Sequence, residues 1–252
     1  MIPKKIHYVW FGGKPKTEKV KKCIASWRKY LPDYEIIEWN EKNFDISSVQ
    51  FVREAIDSKM YAFASDFVRL WVIYNYGGIY LDTDVEVIRS YDKLLENKLF
   101  FGTEEVDSIN SGLSFGAEPH NEIVKDLMNK YINRKFINLD GSFNLKTTNM
   151  IVTEYFVNRG YKLISKVQSI DGAVIYPKKY FAPMSWWSNQ VKIEDVTYSI
   201  HWYDASWLGN AKKQKNMKWI VTTFKHYIVL VIRRLFGYFA YDAIKRNILR
   251  KK

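Results

Sequence analysis

A single cysteine, Cys23, leaves the chain unable to form an internal disulfide, which suits a reducing compartment. Four scattered histidines exclude a zinc module built from His and Cys. The opening MIPKKIHYVW lacks a signal peptide's apolar core and small-residue cleavage site, so a cytoplasmic location is expected. Acid is scarce at one end: residues 211–252 hold twelve Lys or Arg and one acid, Asp242. That segment carries +11 of the net charge of +12, so residues 1–210 are close to neutral and the basic balance belongs to the tail. The tail also lacks the ~20 uninterrupted apolar residues that a membrane span needs. What the chain does have is apolar bulk. It is 47% hydrophobic and 17% aromatic over 252 residues, enough for one large core with an appendage.

The rest of the sequence is organised around Tyr61–Val87. An apolar run, Tyr61–Tyr76, reads as a helix interrupted by Ser65, Asp66 and Arg69. Asp66 and Arg69 are three apart, so they share one face of that helix, and buried charges are rare unless paired or functional. Gly77-Gly78 breaks the run, and Ile79–Leu81 reads as a buried strand ending in Asp82-Thr83-Asp84. On a strand, Asp82 and Asp84 would point to the same side. Two adjacent carboxylates repel, and a hard cation such as Mg²⁺ or Mn²⁺ is the usual remedy, with open positions left for phosphate oxygens. An isolated Asp-x-Asp is more often a solvated strand end, and Asp66–Arg69 alone an ordinary helical ion pair. It is the two pairs within one helix–Gly-Gly–strand unit that make the pattern specific.

SDxxR, an apolar run and then GGxYxDxD resembles the core of glycosyltransferase family 32, and more distantly the catalytic domain of the large glucosylating clostridial toxins. The resemblance extends over roughly Ile2–Leu208. It implies an α/β protein of GT-A fold, a Rossmann-like mixed sheet flanked by helices, over residues 1–210. It also implies a metal-dependent, configuration-retaining transfer from a nucleotide-sugar. In that reading Asp84 is the direct metal ligand, Asp82 lies near ribose and metal, and Asp66 and Arg69 hold the transferred sugar.

The flanking segments are consistent with that order. Lys5–Trp10 reads as a first strand, turned by Phe11-Gly12-Gly13. Ligands bind at such strand ends in α/β sheets, and the resemblance places Trp10 on the nucleotide base; a core tryptophan is the competing reading. Thr17–Tyr30 reads as a capped helix, Tyr34–Trp39 as a parallel second strand, and Ile46–Asp57 as another helix. Asn40 is a turn former or a second nucleotide contact. After the central stretch, Val85–Ile88 continues extended and Leu99–Thr103 is a strand. INSGLSFG, Ile109–Gly116, reads as a sheet edge facing a ligand, with Asn110 and Ser111 as donor-sugar contacts by resemblance, or as a plain turn. Helices are expected at His120–Tyr131 and Asn149–Asn158, with Lys146-Thr147-Thr148 where relatives carry a Gly-Pro-type loop; strands are expected at Ile164–Gln168 and Val174–Tyr176. Tyr180–Trp187 is an aromatic loop, either core or an acceptor platform. His201 ends a short strand in YSIHWYDASWL, and a neutral imidazole suits a third metal ligand. His201, Ser206 and Trp207 match a family segment near the end of the catalytic domain.

In Met217–Tyr241 basic residues recur every seven or eight positions amid apolar and aromatic ones. As a helix, residues 211–252 would form a basic amphipathic tail that anchors the protein peripherally on anionic lipid at the inner face of the cell membrane. Docking on the body or self-association are the alternatives. The apolar face argues against nucleic acid. The partners expected are therefore a nucleotide-sugar donor, probed first as a UDP-sugar, and a glycan or lipid-linked acceptor of cell-surface polysaccharide synthesis. Two other classes compete: a haloacid-dehalogenase-like phosphatase with Asp82 as nucleophile, and a non-catalytic membrane-surface protein.

Overall fold

The structure is a computed structural model, and it describes residues 1–185, 188–203, 228, 229, 231–233, 235–241 and 243. The chain divides into two compact units, Met1–Asp204 and Ala205–Lys252. In the first unit the elements are Lys5–Val9 (β1), Glu18–Tyr30 (α1), Glu35–Trp39 (β2), Gln50–Asp57 (α2), Tyr61–Tyr76 (α3), Gly78–Tyr80 (β3) and Val85–Val87 (β4). There follow Leu99–Glu105 (β5), Ser108–Ala117 (β6), Glu122–Asn129 (α4), Thr148–Val157 (α5), Gln168–Ile170 (β7), Ala173–Tyr176 (β8) and Ser199–His201 (β9).

Seven strands form one mixed sheet in the order β2-β1-β3-β6-β5-β8-β7, and β4 and β9 form a separate two-stranded ribbon. β1 runs parallel to both β2 and β3, so the ends of β1 and β3 emerge at the same edge. β6 is antiparallel to β3 and β5 on either side of it. Strand alternation divides the core. Ile6, Ile79 and Phe100 face the layer that holds α1, whereas Val9, Tyr80, Leu99 and Phe101 face α2–α5. This is the α/β architecture expected, with helices covering both faces.

α1 forms where its sequence signals place it. Thr17 Oγ1 accepts from Val20 N at 3.3 Å, Glu18 lies in the first turn, and Arg28 and Lys29 lie in the last. Val20, Cys23, Ile24 and Trp27 form the buried stripe. Trp27 Nε1 donates to Val85 O at 2.8 Å, and Ser26 Oγ accepts from Val87 N at 2.9 Å. The helix thereby fixes the strand that leaves Asp84.

Three sequence expectations change. Residues 46–57 are not one helix: a 3₁₀ turn, Ile46–Ser48, precedes α2, with Val49 extended between them. The Asp45 carboxylate accepts from Ser47 N and Oγ and so caps the 3₁₀ turn. The strand expected at Ile164–Gln168 begins only at Gln168 and pairs with β8 across Asp171-Gly172. Both turn residues have positive φ, +51° and +83°, the hairpin geometry that fixes this register. And β6 is not a sheet edge but lies in the middle of the sheet, because both of its sides are paired. The other expected helices and strands agree to within a few residues.

In the second unit, the described residues 228–229, 231–233, 235–236, 240–241 and 243 are helical. Gly237, at φ +93°, interrupts them, so 217–241 is not one unbroken helix. No helix among the described residues is long and apolar enough to cross a membrane. Ser206, Trp207 and most of the tail lie outside the described residues.

Candidate active site

α3 is sixteen residues long and ten of them are buried, including Ser65, Asp66 and Arg69. It stops at Gly77, where φ is +62°, followed by Gly78 at +96°. A Cβ on Gly77 would lie 2.7 Å from Pro119, and one on Gly78 would lie 2.8 Å from the Lys5 carbonyl. Glycine at both positions lets the chain reverse directly into β3 against β1.

β3 ends at Tyr80, so Asp82 and Asp84 do not share a strand face as period-two alternation predicted. Asp82 N donates instead to Gly112 O at 2.9 Å, and Val85 N donates to Asp82 O at 3.1 Å. These bonds close Asp82–Val85 into a turn. The carboxylates converge through that turn and through the β4–β9 ribbon, in which Val85 is opposite His201. His201 Nε2 lies 3.1 Å from Asp84 Oδ1, and Trp202 N donates to Asp84 O at 3.0 Å. Donor atoms of Asp82, Asp84 and His201 all lie within 4.8 Å of one another.

Arg69 joins this turn to α3. Its guanidinium lies 3.2 Å from Asp82 Oδ1 and 3.4 Å from Asp66 Oδ1, and donates to Ser65 Oγ at 3.0 Å and Ser111 Oγ at 3.4 Å. It also sits 4.8 Å from the Tyr80 ring centre, while Tyr80 Oη donates to Asp82 at 3.2 Å. Burial opposes the charge on Arg69, but Asp82, Tyr80 and Asp66 more than offset it and raise its pKa. Asp66 accepts from Thr148 N at 2.9 Å, at the start of α5. Burial pushes the Asp66 carboxyl upward, against Arg69 and that N–H. Thr148, the last residue of the Lys146-Thr147-Thr148 segment, thus ties α5 to α3.

From the middle of the sheet, Ser111 N donates to Asn149 Oδ1 at 3.1 Å, and Asn110 Oδ1 accepts from Gly112 N at 2.7 Å. Both Asn110 and Ser111 are buried beside the Arg69–Asp82 pair. Trp10 stands at the same sheet edge, half-buried just beyond β1. Its Nε1 donates to Lys14 O at 2.7 Å, with the Lys16 ammonium 5.8 Å from the ring. Asn40 is a turn former: its Oδ1 accepts from Lys42 N at 2.9 Å. In the aromatic loop, Phe181 and Met184 are buried and Tyr180 stacks on Tyr198, so the described part is core.

Sequence reasoning missed two residues. A Cβ on Gly112 would lie 1.8 Å from Asp82 Oδ2, so any side chain here would push the Asp82 carboxylate aside. Its signal was the run of small residues flanking Leu113. Glu104, on β5, accepts from Asn110 Nδ2 at 3.0 Å. Burial raises its carboxyl pKa, while His201, Asn110 and Lys178 oppose the rise. Nothing in LFFGTEE marks that glutamate as inward-facing.

Asp82, Asp84 and His201 offer two carboxylate oxygens and an imidazole nitrogen, a donor set suited to Mn²⁺ or Mg²⁺. His201 Nδ1 is buried with no hydrogen-bond partner among the described residues. Burial lowers the imidazole pKa, but Asp84, then Asp82 and Glu104, outweigh it and raise the value above the ordinary one. The residues fit a divalent cation.

The comparisons agree with this geometry. The "PaToxG Glycosyltransferase" structure superposes with a TM-score of 0.50 at 18% identity, covering 62% of this chain and 68% of that one. The sheet order, its flanking helices and that match define a GT-A fold. Residues 17–101 match the family described as "Glycosyltransferase sugar-binding region containing DXD motif". "Inositol phosphoceramide mannosyltransferase 3" of Schizosaccharomyces pombe is 30% identical over 127 residues, 47% of this chain and 34% of that protein. Human "Alpha-1,4-N-acetylglucosaminyltransferase" is 24% identical over 146 residues, 55% of this chain and 41% of that protein. The matched parts therefore span less than half the length of these two relatives. Over residues 17–101 the chain is therefore similar to the DXD sugar-binding region of glycosyltransferases, and its relatives are glycosyltransferase family 32-like.

Proposed function

We propose that this protein is a metal-dependent, retaining glycosyltransferase, moving a sugar from a nucleotide-sugar, with a UDP-sugar as first candidate, to a glycan or lipid-linked saccharide in cell-surface polysaccharide synthesis. The observation that supports it most is the convergence of Asp82, Asp84 and His201 beside the buried Arg69–Asp82 pair. Those three residues would hold a divalent cation, which would supply Lewis-acid compensation for charge on the departing nucleoside diphosphate.

The chain's own residues do the rest. Arg69 holds the Asp82 carboxylate in place and brings fixed positive charge near the sugar and phosphate. Asp66, anchored by Thr148 N, orients that guanidinium and offers an acceptor to a sugar hydroxyl. Asn110 and Ser111 line the donor sugar from β6, and Trp10 stacks on the base from the end of β1. Among the described residues no side chain is placed as a covalent nucleophile, which suits front-face displacement. Asp82 is engaged by Arg69 and the Tyr80 hydroxyl, an environment for a positioned carboxylate rather than a phosphatase nucleophile. The basic 211–252 tail would hold the protein at the inner membrane face, near a lipid-linked acceptor.

The test is a screen of UDP- and GDP-sugars for Mn²⁺-dependent hydrolysis. Asp84→Ala should abolish both transfer and donor hydrolysis while circular dichroism stays unchanged. A folded, active Asp84→Ala protein would refute the assignment.

A further inference from the structure

Between α4 and α5 the chain makes a hairpin that the chemistry above does not use. Ile137 pairs with Phe143 in an antiparallel bridge, and Asn138 N donates to Ser142 O at 2.8 Å. The base is held firmly. Glu54 accepts from Phe136 N and Ile137 N at 2.8 and 3.0 Å, and Arg134 donates to Asn144 Oδ1 at 2.8 Å. Phe136 is buried and stacks on Phe143 at 5.0 Å.

This ordered loop holds apolar side chains outward. Leu139 at its tip is fully exposed, Leu145 is 56% exposed, and Ile132, Ile137 and Phe143 are exposed as well. The turn itself carries the usual Asn138, Asp140 and Gly141, with Asp140 accepting from Ser142 N and Oγ, so Leu139 is its one apolar residue, and exposed apolar side chains grouped on one hairpin mark an interaction surface. The exposed charge on this loop is mostly basic: Lys130 and Lys135 are exposed against Asp140, while Lys146 pairs with Glu154 and Arg134 is held in the hairpin base. Lys130, Arg134, Lys135 and Leu139 also line a depression of about 410 Å³. An apolar tip with a basic rim complements a bilayer whose headgroups are anionic and whose interior is not.

We propose that the 136–144 hairpin seats on an anionic lipid surface, with Leu139, Phe143 and Leu145 entering the headgroup boundary and Lys130 and Lys135 meeting lipid phosphates. The hairpin runs within a few residues into Thr148 and Asn149, which bond Asp66 and Ser111. Contact there places the candidate site against the membrane without help from the tail. This membrane contact is independent of whether sugar transfer is correct.

The full-length chain carrying Leu139→Cys, labelled with an environment-sensitive fluorophore, tests it; Cys23 is buried and stays unlabelled in the folded protein. Vesicles of phosphatidylglycerol with phosphatidylcholine should blue-shift the probe, the shift should shrink as salt is raised, and phosphatidylcholine alone should give none. Leu139→Asp combined with Leu145→Asp should weaken vesicle binding about tenfold and leave donor hydrolysis in solution unchanged. No shift with either vesicle, or a shift produced by raising protein concentration without lipid, overturns the inference; the latter would mark a face between two copies. A shift in a protein that hydrolyses no nucleotide-sugar would keep the membrane contact and remove the transferase reading.

Discussion

Gly112 shows how far a single side chain is constrained by the site. Its missing Cβ is the space that the Asp82 carboxylate occupies. Gly112→Ala should therefore displace Asp82 and cost about 1–3 kcal/mol by overpacking, with transfer reduced at least about tenfold. Denaturant unfolding and donor-hydrolysis rates check the two parts. Arg69 is the second case. Arg69→Ala would leave Asp66 and Asp82 without their shared cation, and removing one partner of a buried pair costs about 3–5 kcal/mol. Arg69→Lys should recover part of that stability but little activity, because one ammonium cannot reproduce the guanidinium's separate contacts. Stability equal to the native protein in Arg69→Ala would contradict the account. Asp66 and Arg69 were legible in the sequence because charge inside an apolar helix is anomalous. Glu104 was not, because an acid at the end of a strand reads as solvated until the fold covers it.

At the scale of elements, β1 carries a testable electrostatic consequence. His7 is buried between two partners: its Nε2 donates to Gly77 O at 2.9 Å, and its Nδ1 accepts from Trp39 Nε1 at 3.0 Å. Only the neutral ring can do both. Burial, with Lys5 adding to it, lowers its pKa from 6.5 to about 4, against the Gly77 bond that raises it. The folded value lies below the unfolded one, so the unfolded chain binds the proton first as pH falls. His7's contribution is complete above pH 6.5, is lost progressively down to about 4, and is level below that. The loss is on the order of 3 kcal/mol, and His7→Asn should flatten that window in unfolding curves measured from pH 7 to 4. The elements themselves were legible where periodicity and a cap agree, as in α1, or where an apolar run ends at a glycine pair, as in α3. The D-x-D turn was not. Local alternation predicted a strand, while the bond from Asp82 N to Gly112 O, which takes the chain out of β3, depends on a partner distant in sequence.

The whole molecule joins segments that no local pattern connects. His201 reaches Asp84 only because β9 pairs with β4 outside the main sheet, and β6 lies centrally only because β3 and β5 flank it. The Rossmann-like first half was readable from the β-α-β order, whereas the long-range antiparallel pairings were not. If the three convergent donors hold a cation, binding to the folded form alone should stabilise the entire first unit. Mn²⁺ with UDP at about a hundred times the dissociation constant should add roughly 2.7 kcal/mol, seen as a midpoint several degrees higher in a thermal melt. Asp84→Ala should melt at the same temperature with and without them.

The most direct measurement is a calorimetric titration of Mn²⁺ into the full-length protein in the presence of UDP, repeated with Asp84→Ala and His201→Ala. The account predicts one saturable site in the native protein and none in Asp84→Ala, with His201→Ala weakened. Equal Mn²⁺ affinity in native and Asp84→Ala proteins would contradict it.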